Sequence, residues 1–396
     1  MNTDNLQLIA TAAFGLEAVV ARELKQLGYE DTRIEDGRVH FTGDARAICR
    51  TNLWLRSADR VLIRVADYVA RDFDQLFEGA QSVNWADWLT EDACFPVRGK
   101  SVRSQLHSVP SCQAMVKKAI VEQLKQKYPV EWFEETGPEV PIEISLRNDQ
   151  ATLTLDTTGA GLHKRGYRVR STLSPLKETL AAGLVQLSVW NPQRPLFDPC
   201  CGSGTIPIEA ALIALNRAPG LGRSFTAEDW PGFPATAWEE ARTEARDLAI
   251  SPDTRDAAQG ELFAADIDPA AVSATCENAA SAGVSPLIQT EVADARSMQC
   301  RRKYGCLITN PPYGERSSSP EEAEALHEDL AEVFARHETW SFFVLTTHPA
   351  FERLIGRRAE RRRKLYNARI ACTYYQMLGP RPPWQQRRPE QTQQAE

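Results

Sequence analysis

Residues 194–215 read RPLFDPCCGSGTIPIEAALIAL. A short apolar run ends at Asp198, a glycine turn follows, and a helical pattern opens near Thr205. A strand, a tight turn and a helix in that order form the unit with which an open α/β sheet binds ligands, at the carboxyl ends of its strands. Gly202 and Gly204 allow backbone angles closed to other residues and let a ligand approach the main chain. The stretch lacks the Lys-Ser/Thr ending of a phosphate-binding loop and does not match GxGxxG. An acid stands before the glycines instead. A carboxylate there would repel a pyrophosphate but suits a ligand that carries an ammonium group, as S-adenosyl-L-methionine (SAM) does.

Working outward, strand-like and helix-like runs alternate through the second half. The predicted strands are 195–198, 261–265, 287–292, 305–309 and 340–346, and the predicted helices are 175–190, 205–217, 237–250, 269–282 and 320–337. This is the signature of a parallel, doubly wound α/β sheet. Asp266 closes the second strand (LFAAD) and is placed to accept from both ribose hydroxyls of a nucleoside. Asp268 follows in DIDP and reads as a helix cap. The gap from the glycines to Asp266 exceeds the usual twenty or so residues, so 216–260 reads as an insertion. Asp294 ends the third strand (TEVAD), where it could meet an adenine amino group. The segment 364–378 alternates and suggests an antiparallel edge hairpin.

The fourth strand, GCLIT, runs into Asn310-Pro311-Pro312-Tyr313-Gly314-Glu315-Arg316. A base amino group is a poor nucleophile because its lone pair is delocalised into the ring. The Asn310 side-chain oxygen and the Pro311 carbonyl can each accept one of its N–H bonds, which holds the nitrogen in line with a sulfonium methyl. Pro311 and Pro312 fix the turn that carries these acceptors. Tyr313 offers an aromatic face to a base turned out of its stack. This chemistry requires neither a metal nor a covalent intermediate. The tetrad alone leaves the substrate open among adenine in DNA, guanine in RNA and glutamine in protein.

The first half reads as α+β. Residues 12–28 show helical spacing and end at Gly28, and short extended stretches flank Asp36-Gly37. Residues 52–82 look mixed. A strand leads into a basic loop at 94–104, an amphipathic helix spans 112–128, and 141–147 with 150–157 read as a hairpin. No apolar run reaches membrane-spanning length, and the N-terminus lacks signal-peptide features. Nine cysteines without a CxxC pair argue against a disulfide framework or a zinc site and for a reducing, cytoplasmic compartment. The formal charge of -7 speaks against nucleic-acid binding, yet residues 350–396 hold eleven Arg/Lys against four Glu. Binding follows local potential rather than net charge. The densest run, Arg357, Arg358, Arg361, Arg362, Arg363 and Lys364, is either a phosphate-holding patch or a solvated surface.

Several strings together resemble one family, the THUMP-domain guanine-N2 methyltransferases of bacterial 23S rRNA. They are TAAFGLEAVVARELKQLGY (11–29), FPVRGKSVRSQLHSVPSCQAMVKKAIVEQL (95–124), SPLKETLAAGLV (174–185), DPCCGSGTIPIEAA (198–211), NRAPGLGRSF (216–225) with EDWP (228–231), and NPPYGER (310–316). The resemblance covers roughly residues 5–380. It implies a ferredoxin-like unit (1–45), a THUMP RNA-binding domain (46–158), a linker (159–170), a Rossmann-like class I SAM-dependent methyltransferase domain (171–379) and a disordered tail (380–396). It also implies that Ser174 and Thr179 lie by the methionine end of SAM, joining Asp198, Gly202, Gly204, Thr205, Asp266 and Asp294 as cofactor residues. RNA contacts are expected from Arg98, Lys100, Arg103, Lys117 and Lys118, with Lys117 and Lys118 otherwise covering an exposed helix face. The expected partner is RNA, 23S rRNA or a large-subunit assembly intermediate, with no metal and no membrane. NRAPGLGRSF favours the rRNA branch over the tRNA branch. Two features depart from the pattern: Ala368 stands where glycine is expected, and the chain is too short for the second methyltransferase domain of longer relatives. The alternatives are a tRNA guanine-N2 or DNA adenine-N6 methyltransferase and, outside enzymes, an RNA-binding ribosome-assembly factor.

Overall fold

The computed structural model of the chain describes residues 3–173, 175–252, 261–313 and 319–386. They form two compact units, one of residues 1–165 with 218–248, the other of 166–217 with 249–396.

The first unit is built on seven strands: β1 (Leu6–Ala12), β2 (Thr32–Glu35), β3 (Arg38–Gly43), β4 (Ala58–Val69), β5 (Val97–Val102), β6 (Ile142–Arg147) and β7 (Gln150–Asp156). They make one continuous sheet in the order β2-β3-β1-β4-β7-β6-β5. Every neighbouring pair is antiparallel except β5–β6. That parallel pair is joined by the helix Val109–Leu124, since parallel strands need a crossover connection. The β6–β7 hairpin turns on Asn148 and Asp149, with φ of 50° and 62°, the paired left-handed angles of a type I′ turn.

Two elements differ from the sequence reading. β1 precedes the first helix, which spans Glu17–Gln26 rather than starting at residue 12. As an interior strand buried through Leu8, Ile9 and Ala10, β1 reads as a plain apolar run without alternation. The stretch 52–82 resolves into the end of a helix (Ala45–Trp54), the long strand β4 and a helix Phe73–Gln81. A register shift in β4 between Arg64 and Ala66 interrupts its period-two pattern.

The insertion expected within the methyltransferase segment goes elsewhere in space: residues 218–248 cluster with the N-terminal unit. Phe225, Trp230, Phe233 and Trp238 enter that unit's core, and Phe225 stacks on Trp238 with centroids 5.2 Å apart. The Trp230 indole donates to the Glu139 carbonyl at 2.9 Å. Glu244, on the helix Ala235–Asp247, receives a two-nitrogen grip from Arg50. Aromatic side chains bury about 150–250 Å² each, so this insertion serves the packing of the N-terminal unit.

The second unit contains β8 (Leu196–Asp198), β9 (Leu262–Asp266), β10 (Ile288–Val292), β11 (Cys306–Thr309), β12 (Ser341–Thr346), β13 (Arg361–Asn367) and β14 (Ile370–Met377). The order is β10-β9-β8-β11-β12-β14-β13. β8 to β12 are mutually parallel, and the β13–β14 hairpin adds an antiparallel edge. The strand order reverses between β8 and β11, which opens the crevice where such sheets bind ligands. The hairpin begins at Arg361, three residues earlier than its sequence pattern suggests, so Arg361, Arg362 and Arg363 lie on the edge strand itself. Charged edges also discourage pairing with another chain. Among the described residues no helix is long and apolar enough to cross a membrane.

Candidate active site

The carboxyl ends of four parallel strands gather the acidic and amide residues singled out from the sequence. Asp198 closes β8 and Asp266 closes β9, while Asp294 lies just beyond β10 and Asn310 just beyond β11. Gly202 and Gly204 have φ of 56° and 79°, the left-handed region that favours glycine. A Cβ on Gly204 would come within 2.7 Å of the Thr275 side chain, so this position must stay bare to pack. A Cβ on Gly202 would meet only the Thr172 hydroxyl, at 3.8 Å, so the backbone there opens onto free space.

Asp266 holds this turn in shape. Its Oδ2 accepts from the Gly202 N–H at 2.9 Å, and its Oδ1 from the Asp268 N–H at 3.0 Å. Asp268 caps the helix Pro269–Ser281, accepting from the Ala270 N–H. Asp198 is buried and accepts from the Thr309 hydroxyl at 2.7 Å and the Cys200 N–H at 3.2 Å. Burial pushes its carboxyl up to about 7, against those two hydrogen bonds and with the help of the nearby Asp266 charge. A buried acid in this state favours a cationic partner. Burial raises the Cys200 and Cys201 thiols as well, so both stay protonated and neither is a ready nucleophile.

Asp294 accepts from the Arg296 N–H and pairs with its guanidinium at 3.0 Å. Burial, the largest single influence, raises the acid, but the Arg296 N–H, its guanidinium bond and its charge together outweigh it and hold the acid below its ordinary value. Thr179 is buried in the first turn of the helix Glu178–Leu187, and Thr205 is buried at the start of Thr205–Ala214. Ser174 lies outside the described residues, as do Gly314, Glu315 and Arg316. Pro311 is buried, and Pro312 and Tyr313 are half-buried. The Tyr313 hydroxyl donates to Asn310 Oδ1.

Sequence reading missed the residues that brace this site. Arg168 donates to Glu178 (2.8 Å), Ser203 (2.8 Å), the Leu176 carbonyl (2.8 Å) and the Thr205 hydroxyl (3.1 Å). One guanidinium thereby ties the 176–178 segment to the glycine turn. Asn278 is buried and fully bonded: its oxygen accepts from Val169 and Arg170 N–H, and its amide donates to the Arg170 and Ser203 carbonyls. The available signals were an amide on an otherwise apolar helix face and an Arg ten residues before a Glu. Among the described residues no cluster of His, Cys, Asp or Glu could hold a metal ion.

The basic residues are distributed between the units. Arg98, Arg103 and Lys118 are exposed on the first unit, and Lys100 pairs with Glu143 at 2.7 Å. Lys117 turns inward: it bonds the Phe95 carbonyl and Glu135 and sits 3.5 Å from the Phe95 ring centroid. On the second unit Arg361 is exposed and Arg362 pairs with Glu352 at 2.5 Å.

A glycine turn, an acid closing the neighbouring strand and an Asn-Pro-Pro-Tyr segment, at the ends of parallel strands, mark a Rossmann-like class I methyltransferase. Residues 7–62 match the RlmL ferredoxin-like domain, 70–156 the THUMP domain and 165–376 the RMKL-like methyltransferase domain. The chain belongs to this family of THUMP-bearing RMKL-like methyltransferases. It is 48% identical over 373 residues to "Putative RNA methyltransferase YpsC" of Bacillus subtilis, covering 93% of this chain and 95% of that one. Its fold matches the crystal structure of "a predicted N6-adenine-specific DNA methylase" from Listeria monocytogenes with a TM-score of 0.89 at 47% identity, over 95% of this chain and 97% of that one. It also matches SMU.472, "a putative methyltransferase complexed with SAH", with a TM-score of 0.89 at 42% identity, over 96% and 99% of the two chains. The cofactor of this methyltransferase class is SAM. The open face at Gly202 and the buried, cation-seeking Asp198 fit such a ligand.

Proposed function

We propose that this chain is an RNA methyltransferase that modifies the exocyclic N2 amino group of a guanine in 23S rRNA. The observation that carries the reading is the bond from the Thr309 hydroxyl to Asp198 Oδ1, at 2.7 Å. It fastens the strand end that precedes Asn310 to Asp198 at the end of β8, which supports a reading in which the amine acceptors and the methyl donor share one crevice.

When bound, SAM would supply a sulfonium methyl: the nitrogen–carbon bond forms as the sulfur–carbon bond breaks, a neutral thioether leaves, and the nitrogen gives up one proton to solvent. The protein's residues act around that event. Asp198 would face the ammonium end, Asp266 the ribose hydroxyls and Asp294 the adenine edge. Asn310 Oδ1 and the Pro311 carbonyl accept the two N–H bonds of the guanine amine and strengthen as its nitrogen gains positive charge. Tyr313 supports the extruded base by stacking.

The THUMP match and the relative named as an RNA methyltransferase favour RNA. Arg98, Lys100, Arg103 and Lys118, with Arg361 and Arg363, are the proposed phosphate contacts, and a ribosomal large-subunit precursor is a natural form of the substrate. Lys117, already bonded inside the unit, is the weakest member of the set expected from the sequence. The Listeria relative is described as a predicted N6-adenine-specific DNA methylase, and the same acceptor geometry would serve that amine. Radiolabelled SAM offered with rRNA, tRNA and DNA separates these substrates, and mass-spectrometric analysis of the product identifies the methylated atom. Label entering DNA or tRNA but not rRNA would overturn the proposal.

A further inference from the structure

The strand β12 stops at Thr346, which pairs with Thr373 of β14. The β13–β14 hairpin does not stop there. It runs on through Cys372 and Ala371 to the pair Asn367–Ile370. Its tip therefore overhangs the carboxyl edge of the sheet, the edge that carries Asn310. The overhang meets the site directly, because the Cys372 thiol lies 3.5 Å from the Tyr313 phenol oxygen.

Side chains alternate across a strand. Leu365, Asn367, Ile370 and Cys372 accordingly share the face that meets Tyr313, with Leu365 opposite Cys372 and Asn367 opposite Ile370. Lys364, Tyr366 and Tyr375 lie on the other face, where the Lys364 ammonium is 5.5 Å from the Tyr366 ring centroid and Tyr375 packs on Phe351 with centroids 5.0 Å apart. Leu365 and Cys372 are buried, while Asn367 and Ile370 are half-buried. The Asn367–Ile370 pair stands one same-face step beyond Cys372, about 6.6 Å along the strand. The overhang thus presents aliphatic surface, no charge and a single amide beside an aromatic ring. Apolar walls with one well-placed polar group are how a site takes a neutral, flat ligand and fixes its orientation, and a base turned out of its stack is such a ligand.

Guanine carries along one edge, in order, the N2 amine, the N1–H donor and the O6 acceptor. Asn310 and the Pro311 carbonyl are the acceptors proposed for the first of these. The other two call for an acceptor and a donor side by side, which is what a side-chain amide offers. We infer that Asn367 is a specificity-determining residue, its oxygen accepting from guanine N1–H and its nitrogen donating to O6. Adenine with its N6 amine on Asn310 presents a bare N1 and then a C–H, so it satisfies at most one of the two amide groups. The inference rests on the guanine reading of the Asn310 site. It deepens that reading by supplying a means of choosing between two amines that the Asn-Pro-Pro-Tyr acceptors serve alike.

The test uses the full chain, SAM and an RNA transcript carrying the guanine that mass spectrometry finds methylated. The same transcript with 2-aminopurine at that one position is the comparison. 2-Aminopurine keeps the N2 amine but lacks both N1–H and O6. The readout is the ratio of kcat/KM for guanine over 2-aminopurine. Asn367→Ala should lower that ratio about fivefold or more, because guanine loses both amide bonds and 2-aminopurine at most one. Asn367→Leu, close to asparagine in size, should lower it as far. Unchanged SAM affinity by calorimetry would establish that each variant is folded. If both variants slow the two substrates in equal proportion, or keep the wild-type ratio, Asn367 does not read the base. The inference then falls while the guanine reading stands. If the wild type methylates RNA at a base other than guanine, or not at all, the guanine reading fails first and the inference with it.

Discussion

The phenol of Tyr313 donates to the side-chain oxygen of Asn310, and the Cys372 thiol lies 3.5 Å from the same phenol oxygen. The acceptor proposed for the substrate amine is therefore already bonded by a neighbour through one of its two lone pairs, and an incoming base would share the oxygen with that hydroxyl or displace it. Asn310→Ala should bind SAM and RNA nearly as the wild type does yet turn over about a hundredfold or more slowly, by analogy with loss of one oxyanion-hole group. Tyr313→Ala should also lose about 1–3 kcal/mol of RNA binding with its stacking face. Tyr313→Phe keeps the ring and removes only the competing donor, so its effect should be mild. Single-turnover kinetics at saturating RNA separate these cases. A wild-type rate in Asn310→Ala would rule out the acceptor mechanism, and a Tyr313→Phe defect as deep as that of Asn310→Ala would mean the hydroxyl acts in the chemical step.

Asp266 carries two loads: it fixes the Gly202 and Asp268 N–H groups and faces the proposed ribose position. Asp266→Ala should weaken SAM binding by about 1–3 kcal/mol. Asp266→Asn retains an acceptor for the Gly202 N–H and should fall between the wild type and Ala. Calorimetry giving unchanged SAM affinity in Asp266→Ala would remove this residue from the site.

The methyltransferase half was legible because its information is local. β8 and β9 end on acids and Asn310 follows the last residue of β11, so Asp198, Asp266 and Asn310 could be placed at one edge of the sheet from strand, turn and helix patterns. The bracing network was not legible. Arg168 reaches the Glu178, Ser203 and Thr205 side chains and one carbonyl, and Asn278 reaches backbone groups; such bonds leave no periodic trace in a sequence. Nor does periodicity say where an insertion packs. The helix Ala235–Asp247 reads as amphipathic, but only the folded chain brings its Glu244 to Arg50. β1 and β4 were obscured for opposite reasons, the first by burial without alternation and the second by a register shift.

The edge strand β13 alternates its basic side chains, and Arg362 is already paired with Glu352. Neutralising Arg361, Arg362 and Arg363 together should weaken RNA binding and flatten its salt dependence, by about 0.7–0.9 in logarithmic slope for each phosphate that is no longer neutralised. Arg362→Gln alone should contribute the least of the three. Binding titrations across a salt series decide the matter: an unchanged slope in the triple variant would identify the run as a charged edge that only discourages strand addition.

The β13–β14 hairpin turns through Ala368 and Arg369, with Asn367 paired to Ile370. Ala368 has a φ of 55° and is exposed. A left-handed angle costs a residue with a Cβ about 1–2 kcal/mol, so the alanine found where glycine was expected is held there by the closure of the hairpin. Ala368→Gly relieves that strain but adds freedom to the unfolded chain, an opposing effect of about 0.4–1 kcal/mol. The net result should be a modest rise in melting temperature, and Ala368→Val should lower it. Calorimetric melting in which Gly is no more stable than Ala would show that the angle carries no net strain.

Asp198 predicts a pH dependence whose sign follows from its environment. Burial raises the carboxyl from 3.8 to about 7 in the ligand-free protein, so at pH 6 it is mostly protonated. The folded state therefore gains stability from the bound proton below the ordinary carboxylate value and loses it as pH rises through about 7. An ammonium group binds the ionised form, so cofactor binding must first remove that proton. SAM affinity should rise with pH up to about 7, by as much as tenfold for each unit below it, and binding below that point should release a proton to the buffer. Above about 8 the gain should reverse, because an α-amino group loses its own charge near 7.7–8.0. Asp198→Asn should bind SAM weakly, without the rise toward pH 7, and should melt no lower than the wild type at pH 8 when ligand-free, since the buried charge is gone. Calorimetry in buffers of different ionisation enthalpy reads both the affinity and the proton count. A wild-type affinity that stays flat between about pH 5.5 and 7.5, with no proton released, would mean that Asp198 does not meet the cofactor's ammonium group.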